Sequence, residues 1–167
     1  MWPWGHLGLG YLLARASVPT DQVRGAHLLA VALGTQFPDL VDKPLAWTFT
    51  ILPSGRSLAH SVFALVVVVG FAWVVCRRYD RPTLAVVFGI GYASHLLGDS
   101  LHALVGLEWE FLTFLVWPLL ELPPYENDSS FVSHFLNFEL GAWTLFGFAL
   151  FATAAVLVVH TERQHRR

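Results

Sequence analysis

The sequence predicts an all-α fold, a polytopic transmembrane helical bundle, on three observations. Hydrophobic residues make up 55% of the 167 residues, and mean hydropathy is +0.55. Charged residues make up 13%, about half of the roughly 25% typical of a soluble domain. Five apolar stretches of helical length alternate with short polar or proline-bearing connections. The length suits one domain, so residues 1–167 are read as a single membrane-embedded unit, with 160–167 as a basic cytoplasmic tail. The lone cysteine, Cys76, excludes an internal disulfide. The start, Met-Trp-Pro-Trp-Gly-His, lacks the basic stretch of a secretory signal, so the first helix is expected to stay in the mature protein. The bilayer is the expected partner, and no nucleic-acid partner is expected.

The elements follow in order. Trp4 to Ala16 and Gly25 to Phe37 are each short for a span; turned by Val18-Pro-Thr-Asp-Gln22, they read as a helical hairpin. The second is expected to end at Pro38. Leu58 to Cys76 is long enough to span, and Ser54 or Ser57 is placed to cap it. Thr83 to Gly106 also spans, with polar residues in its second half. Phe111 to Leu122 is apolar but short and broken by Pro118, so it could be re-entrant or lie in the interface. Phe138 to His160 is the most lipid-like stretch.

Charge orients the bundle. If Arg77-Arg78-Tyr-Asp-Arg81 is cytoplasmic, as the positive-inside rule requires, alternation puts Arg15, Arg24, Arg163, Arg166 and Arg167 on the same side. That side then holds eight of the ten basic residues. The opposite level gathers His6, Asp39, Asp42, Arg56, His60, His95, Asp99 and His102. The site is therefore expected to face the extracytoplasmic side. Most of the seven tryptophans fall near that same face, as interfacial anchors do.

Those residues carry the chemistry. An ionisable group near the bilayer centre costs about 2.5–3.5 kcal/mol on insertion scales and is by default a functional-site candidate. His95, Asp99 and His102 stand at offsets of zero, four and seven, within about 60° on one helical face. Gly91 and Gly98 flank that face and allow close helix approach. The bland alternative is a set of polar residues that glue helices together; Asp is an expensive choice for that. His60 stands in Gly-Arg-Ser-Leu-Ala-His-Ser, and Asp39 and Asp42 in Phe-Pro-Asp-Leu-Val-Asp-Lys-Pro, where ordinary turn work is the alternative.

Imidazole and carboxylate suit Zn²⁺, and also Mn²⁺ or Fe. Two His and two Asp could support one or two divalent ions, zinc first among them. Such a site activates water and offsets charge on a phosphoryl or acyl oxygen. Arg56 is placed to bind an anionic group, since guanidinium matches phosphate bidentately. His102 could be a third ligand, a supporting group or the general acid. His134 and Glu139 could reach the mouth of the site.

These ordered motifs resemble one family. An N-terminal His-x-x-x-Gly, Gly-Thr-Gln-Phe-Pro-Asp-Leu-Val-Asp, Arg-Ser-Leu-Ala-His-Ser, Gly-Tyr-Ala-Ser-His-Leu-Leu-Gly-Asp and a late Trp-Pro look like the YdjM-like inner-membrane proteins. Members of that family are described as candidate metal-dependent hydrolases. The resemblance spans about Gly5 to Pro118, and it implies metal-site positions at His6, Asp39, Asp42, His60, His95 and Asp99. Its carboxylate motif is often Pro-Asp-x-Asp; here it is Pro-Asp-Leu-Val-Asp, which leaves both acids as candidates. A more distant similarity in motif order is to zinc-dependent phospholipase C and P1-type nucleases. It implies one zinc on Asp42, His60, His95 and Asp99, with Asp99 bridging to a second near His6. The expectation is a membrane-bound metal-dependent hydrolase that cleaves a phosphoester of a lipid or lipid-linked substrate. The alternatives are a divalent-metal transporter and a membrane protein that uses metal only for stability.

Overall fold

A computed structural model of the chain describes residues 1–19, 23–123, 130, 132, 136 and 138–165. Among these the fold is all α, with five α-helices: α1 (Pro3–Ser17), α2 (Ala26–Lys43), α3 (Val62–Arg78), α4 (Pro82–Gly106) and α5 (Ala142–His165). A π turn at Pro44–Thr48 extends α2, and a 3-10 segment, Trp109–Val116, follows α4. Among the described residues two helices are long and apolar enough to cross a membrane: α4, and α5 over Ala142–Gln164. At 1.5 Å per residue α4 is about 37 Å long, which exceeds a hydrocarbon core of roughly 30 Å.

Local chemistry sets most of the boundaries. Proline occupies the first turn of α1 and of α4, where its missing N–H goes unmissed. Two arginines, Arg77 and Arg78, close α3 and suit the negative end of its dipole. Ser61 caps the start of α3, accepting from the Ala64 amide at 3.1 Å. This corrects the expectation of Ser54 or Ser57. The helix begins later than apolarity suggests, and those two serines organise the loop before it instead. Pro38 does not end α2, which runs through to Lys43. One missing hydrogen bond is tolerated because the proline is buried against the bundle, and the extra turn puts Asp39 and Asp42 on a helix rather than in a loop.

α4 is the central element and packs against α1, α2 and α3, while α5 lies on the outer side of α1. Directions follow from which residues meet. Gly10 of α1 faces Gly91 and Ser94, whereas His6 faces Gly98, so α1 and α4 are antiparallel. Val31 meets Gly91 and Thr35 meets His95, so α2 runs parallel to α4. Val69 of α3 meets Gly89, and the Tyr92 hydroxyl reaches the Ala59 carbonyl, so α3 runs opposite to α4. Gly5 meets Gly147 and Arg15 reaches Thr161, so α5 runs with α1.

This alternation divides the bundle into two ends. One end carries Arg15, Arg24, Arg77, Arg78, Arg81 and Arg163. There Arg15 donates to Thr161 at 2.8 Å, and Arg24 pairs with Glu162 at 3.1 Å. The middle is apolar, built on Tyr11, Ala14, Val23, Val31, Val87 and Ala154. The other end carries the His and Asp residues.

Close backbone approach makes Gly91 irreplaceable. A Cβ there would lie 2.5 Å from the Val31 carbonyl oxygen of α2, and backbone cannot step aside. Gly70 of α3 has open space around the same position. We therefore expect Gly91→Ala to lower stability by about 2 kcal/mol through overpacking. Gly70→Ala should be neutral or stabilising by up to about 1 kcal/mol. Denaturation of both variants in the same detergent checks the contrast.

Candidate metal centre

Three helices and one loop deliver the polar end. α4 supplies His95 and Asp99 one turn apart. α2 supplies Asp39 from its penultimate turn, α1 supplies His6, and the loop before α3 returns His60 to the same place. His6, His60 and His95 are fully buried, and the side chains of Asp99 and Asp39 are only 2% and 11% exposed.

The geometry converges on two imidazole nitrogens. His60 Nε2 and His95 Nε2 face each other at 3.1 Å. Asp39 Oδ1 lies 3.5 Å from the first and 3.7 Å from the second. Asp99 Oδ2 lies 3.7 Å and 3.8 Å from the same two atoms. A tetrahedral zinc with bonds of about 2.0–2.1 Å separates neighbouring ligand atoms by about 3.3 Å. These spacings are close to that value. Two groups of side chains come near enough to hold an ion: His60, His95 and Asp99; and His6, Asp39 and His95.

Each central imidazole is fixed from behind. His95 Nδ1 lies 2.6 Å from the Thr35 carbonyl oxygen. A carbonyl only accepts, so this nitrogen carries the hydrogen, and Nε2 of a neutral ring is left as a lone pair. His60 Nδ1 lies 2.8 Å from Asp42 Oδ2, which directs its Nε2 inward in the same way. Two lone pairs cannot stably face each other at 3.1 Å. A cation between them, a proton or a metal ion, removes the conflict. His6 makes a separate demand. Its ring stacks on His95 at 3.8 Å, and its Nε2 lies 3.2 Å from Asp99 Oδ1 without hydrogen-bond alignment. Both of its buried nitrogens therefore lack a hydrogen-bond partner among the described residues. Buried polar atoms in that condition call for an explanation, and an ion is one. The donor set fits a divalent metal.

The two acids of α2 separate by role. Asp39 points inward and is also held by Lys43 at 2.7 Å. Asp42, fully buried, turns to the loop. It accepts from the Ser57, Ala59 and His60 amides at 2.9, 2.8 and 3.3 Å, besides His60 Nδ1. Asp99 is balanced by Arg56, whose Nε lies 3.0 Å from the inward Oδ2, and by the Met1 α-amino group, 2.6 Å from Oδ1. Arg56 is the part-exposed member, with its side chain 39% accessible. Phe114 of the 3-10 segment is buried against the His60 ring.

The expected face of α4 is cut short at His102. This residue is exposed, its ring lies against Trp143, and its Nδ1 is 3.7 Å from Glu108. The helical spacing holds, but His102 lies beyond the buried cluster, with its side chain 66% exposed. Glu139 is exposed, and its carbonyl accepts from Thr144 near the start of α5. His134 lies outside the described residues. Sequence reasoning missed the Thr35 carbonyl, the loop amides on Asp42 and the aromatic cover of Phe114. Thr35 stands one helical turn before Asp39, which was the available signal.

A family comparison then matches residues 1–165, nearly the whole length, with the YdjM inner membrane protein family. The chain belongs to that family. It sits in the lipid bilayer, and its buried His and Asp groups could bind a metal ion. No curated protein and no solved structure matches the chain.

Removing the Asp42 carboxylate should collapse the His60 loop. Asp42→Ala leaves at least two buried amides without acceptors, at roughly 1–3 kcal/mol each. We expect a loss of about 3 kcal/mol, read from denaturation of the purified variant.

Proposed function

We propose that this YdjM-family protein is a membrane-bound, metal-dependent hydrolase of phosphoesters carried on lipid or lipid-linked substrates. The observation that carries the reading is the facing pair of His60 Nε2 and His95 Nε2. The pair is flanked by two carboxylates, and each ring is locked by a partner behind it. In this reading His60, His95, Asp39 and Asp99 hold one divalent ion, zinc first among the candidates. Asp42 orients His60 rather than binding the metal. His95 has one lone pair, so it serves one ion. A second ion would rest on His6 and Asp99 Oδ1.

A divalent cation bound there makes water acidic enough to supply a nucleophile near neutral pH and offsets charge on a phosphoryl oxygen. The remaining roles belong to the chain. Asp99, braced by Arg56, fixes the α4 side of the site. The Arg56 guanidinium lies at the part-exposed edge, where an anionic group approaches, and its planar donors suit phosphate. Phe114 covers His60 and limits water. His102, out at the rim beside Glu108, is placed to exchange protons with a leaving group.

The basic end of the bundle supports a cytoplasmic placement for the termini of α1, α3 and α5, with the site in the extracytoplasmic leaflet. Transport of the metal is disfavoured by the apolar layer of Tyr11, Ala14, Val31 and Val87 between the site and the basic end. An ion pathway needs polar residues through that layer.

Protein purified in detergent should hold divalent metal, and it should release phosphate or headgroup from vesicles of anionic phospholipid. Asp39→Ala, His60→Ala, His95→Ala and Asp99→Ala should lose metal and hydrolysis together. Arg56→Lys should keep the metal while hydrolysis falls about tenfold or more, because lysine lacks the planar fork. Wild-type protein without metal, or ligand variants that keep full occupancy, would overturn the reading.

A further inference from the structure

A second feature lies on the far side of the His60 loop. A cavity of about 560 Å³ opens between α2, α3 and the chain after the 3-10 segment. Its size is within the roughly 300–1,000 Å³ of ligand pockets. Phe37, Val41, Ala64 and Tyr92 form its walls, Trp117 closes one end, and Val68 lies toward the other.

The cavity presents only apolar surface, although it adjoins the most polar part of the molecule. The two hydroxyls in its wall are already engaged. The Tyr92 hydroxyl donates to the Ala59 carbonyl at 2.6 Å. The Ser61 hydroxyl donates to the Leu58 carbonyl at 2.9 Å and accepts from the Ala64 amide. No polar surface of the wall faces the cavity to recognise a polar ligand or hold ordered water, and apolar cavities stay dry.

The mouth shows what the cavity meets. Val67 and Leu119 on its rim are 70% and 73% exposed. They continue into the open face of α3, where Val66, Phe71 and Val74 are exposed in turn. In a protein that sits in the bilayer that face borders hydrocarbon, so the cavity is continuous with the lipid. Along α3 it is lined by Phe63, Ala64, Val67 and Val68, a run of about one and a half turns that a lipid tail could follow.

We propose that this groove seats one hydrocarbon chain of a membrane phospholipid. Its headgroup lies at the Trp117 end, level with the metal centre. The contacts are dispersion and apolar burial along the chain. The wall segment Leu58–Ser61 also carries His60, so a seated chain lies one residue from the site. The inference rests on the bilayer setting and the groove, and it does not require the hydrolytic reading.

The test reads lipid retention without turnover. Full-length protein is exchanged from vesicles of dioleoyl phosphatidylglycerol into mild detergent, and the retained lipid is counted by native mass spectrometry. Wild type should keep one phospholipid per chain. Ala64→Trp and, as a second blocking variant, Val68→Phe should each retain about tenfold less, a loss of roughly 1.4 kcal/mol. Val74→Trp, on the open face of α3, should retain as much as wild type. The same phospholipid with six-carbon chains should not be kept. No retained lipid on wild type, undiminished retention by both blocking variants, or equal retention of the short-chain lipid would overturn the proposal. Metal content measured on the same samples is read separately. Lipid without metal sinks the hydrolytic reading alone, and metal without lipid sinks the groove alone.

Discussion

Three imidazoles and two carboxylates share a buried space among α1, α2, α4 and the His60 loop, and the rest of the structure is arranged to make that tolerable. Leaving buried polar groups unpaired costs several kcal/mol each. The backbone answers part of the demand. The Thr35 carbonyl holds His95, and three loop amides hold Asp42. Charge answers another part, through Arg56 and the Met1 amine on Asp99 and Lys43 on Asp39. What stays unanswered is the space between His60 Nε2 and His95 Nε2, and the bare nitrogens of His6.

Helix packing serves the same constraint. Gly10, Gly34 and Gly91 bring α1 and α2 against α4 closely enough that side chains from three helices touch one another. Gly98 leaves room for the His6 ring, which sits where a Cβ would lie 3.1 Å from its Nδ1. Small residues are the usual means of close approach in membranes. Here they also fix the register that puts His6, Thr35, His95 and Asp99 at one level. The opposite end is tied by Arg15 to Thr161 and by Arg24 to Glu162, so the apolar layer between the ends stays closed.

Much of this was legible in the residues. Apolar length and charge bias gave the five helices and their alternation, because burial in lipid and the placement of arginines act on whole segments. The HxxxD step of α4 was legible because an i, i+4 pair shares a face whatever surrounds it. The division of labour between Asp39 and Asp42 was not. It depends on α2 continuing past Pro38 and on the aperiodic loop 49–61 folding back, and neither leaves a pattern. His102 misled for the opposite reason. Its face is right, but a shared face says nothing of which turn neighbouring chains cover, and His102 is exposed.

The central claim is that a divalent metal ion, and not a shared proton, lies between His60 and His95. X-ray absorption at the edge of the bound metal tests this most directly. The account predicts a first shell of nitrogen and oxygen at about 2.0–2.1 Å, with the outer scattering of two imidazoles, and loss of the metal edge itself in His60→Ala and His95→Ala. Metal that shows no imidazole scattering, or that is retained in full by both variants, would contradict the account.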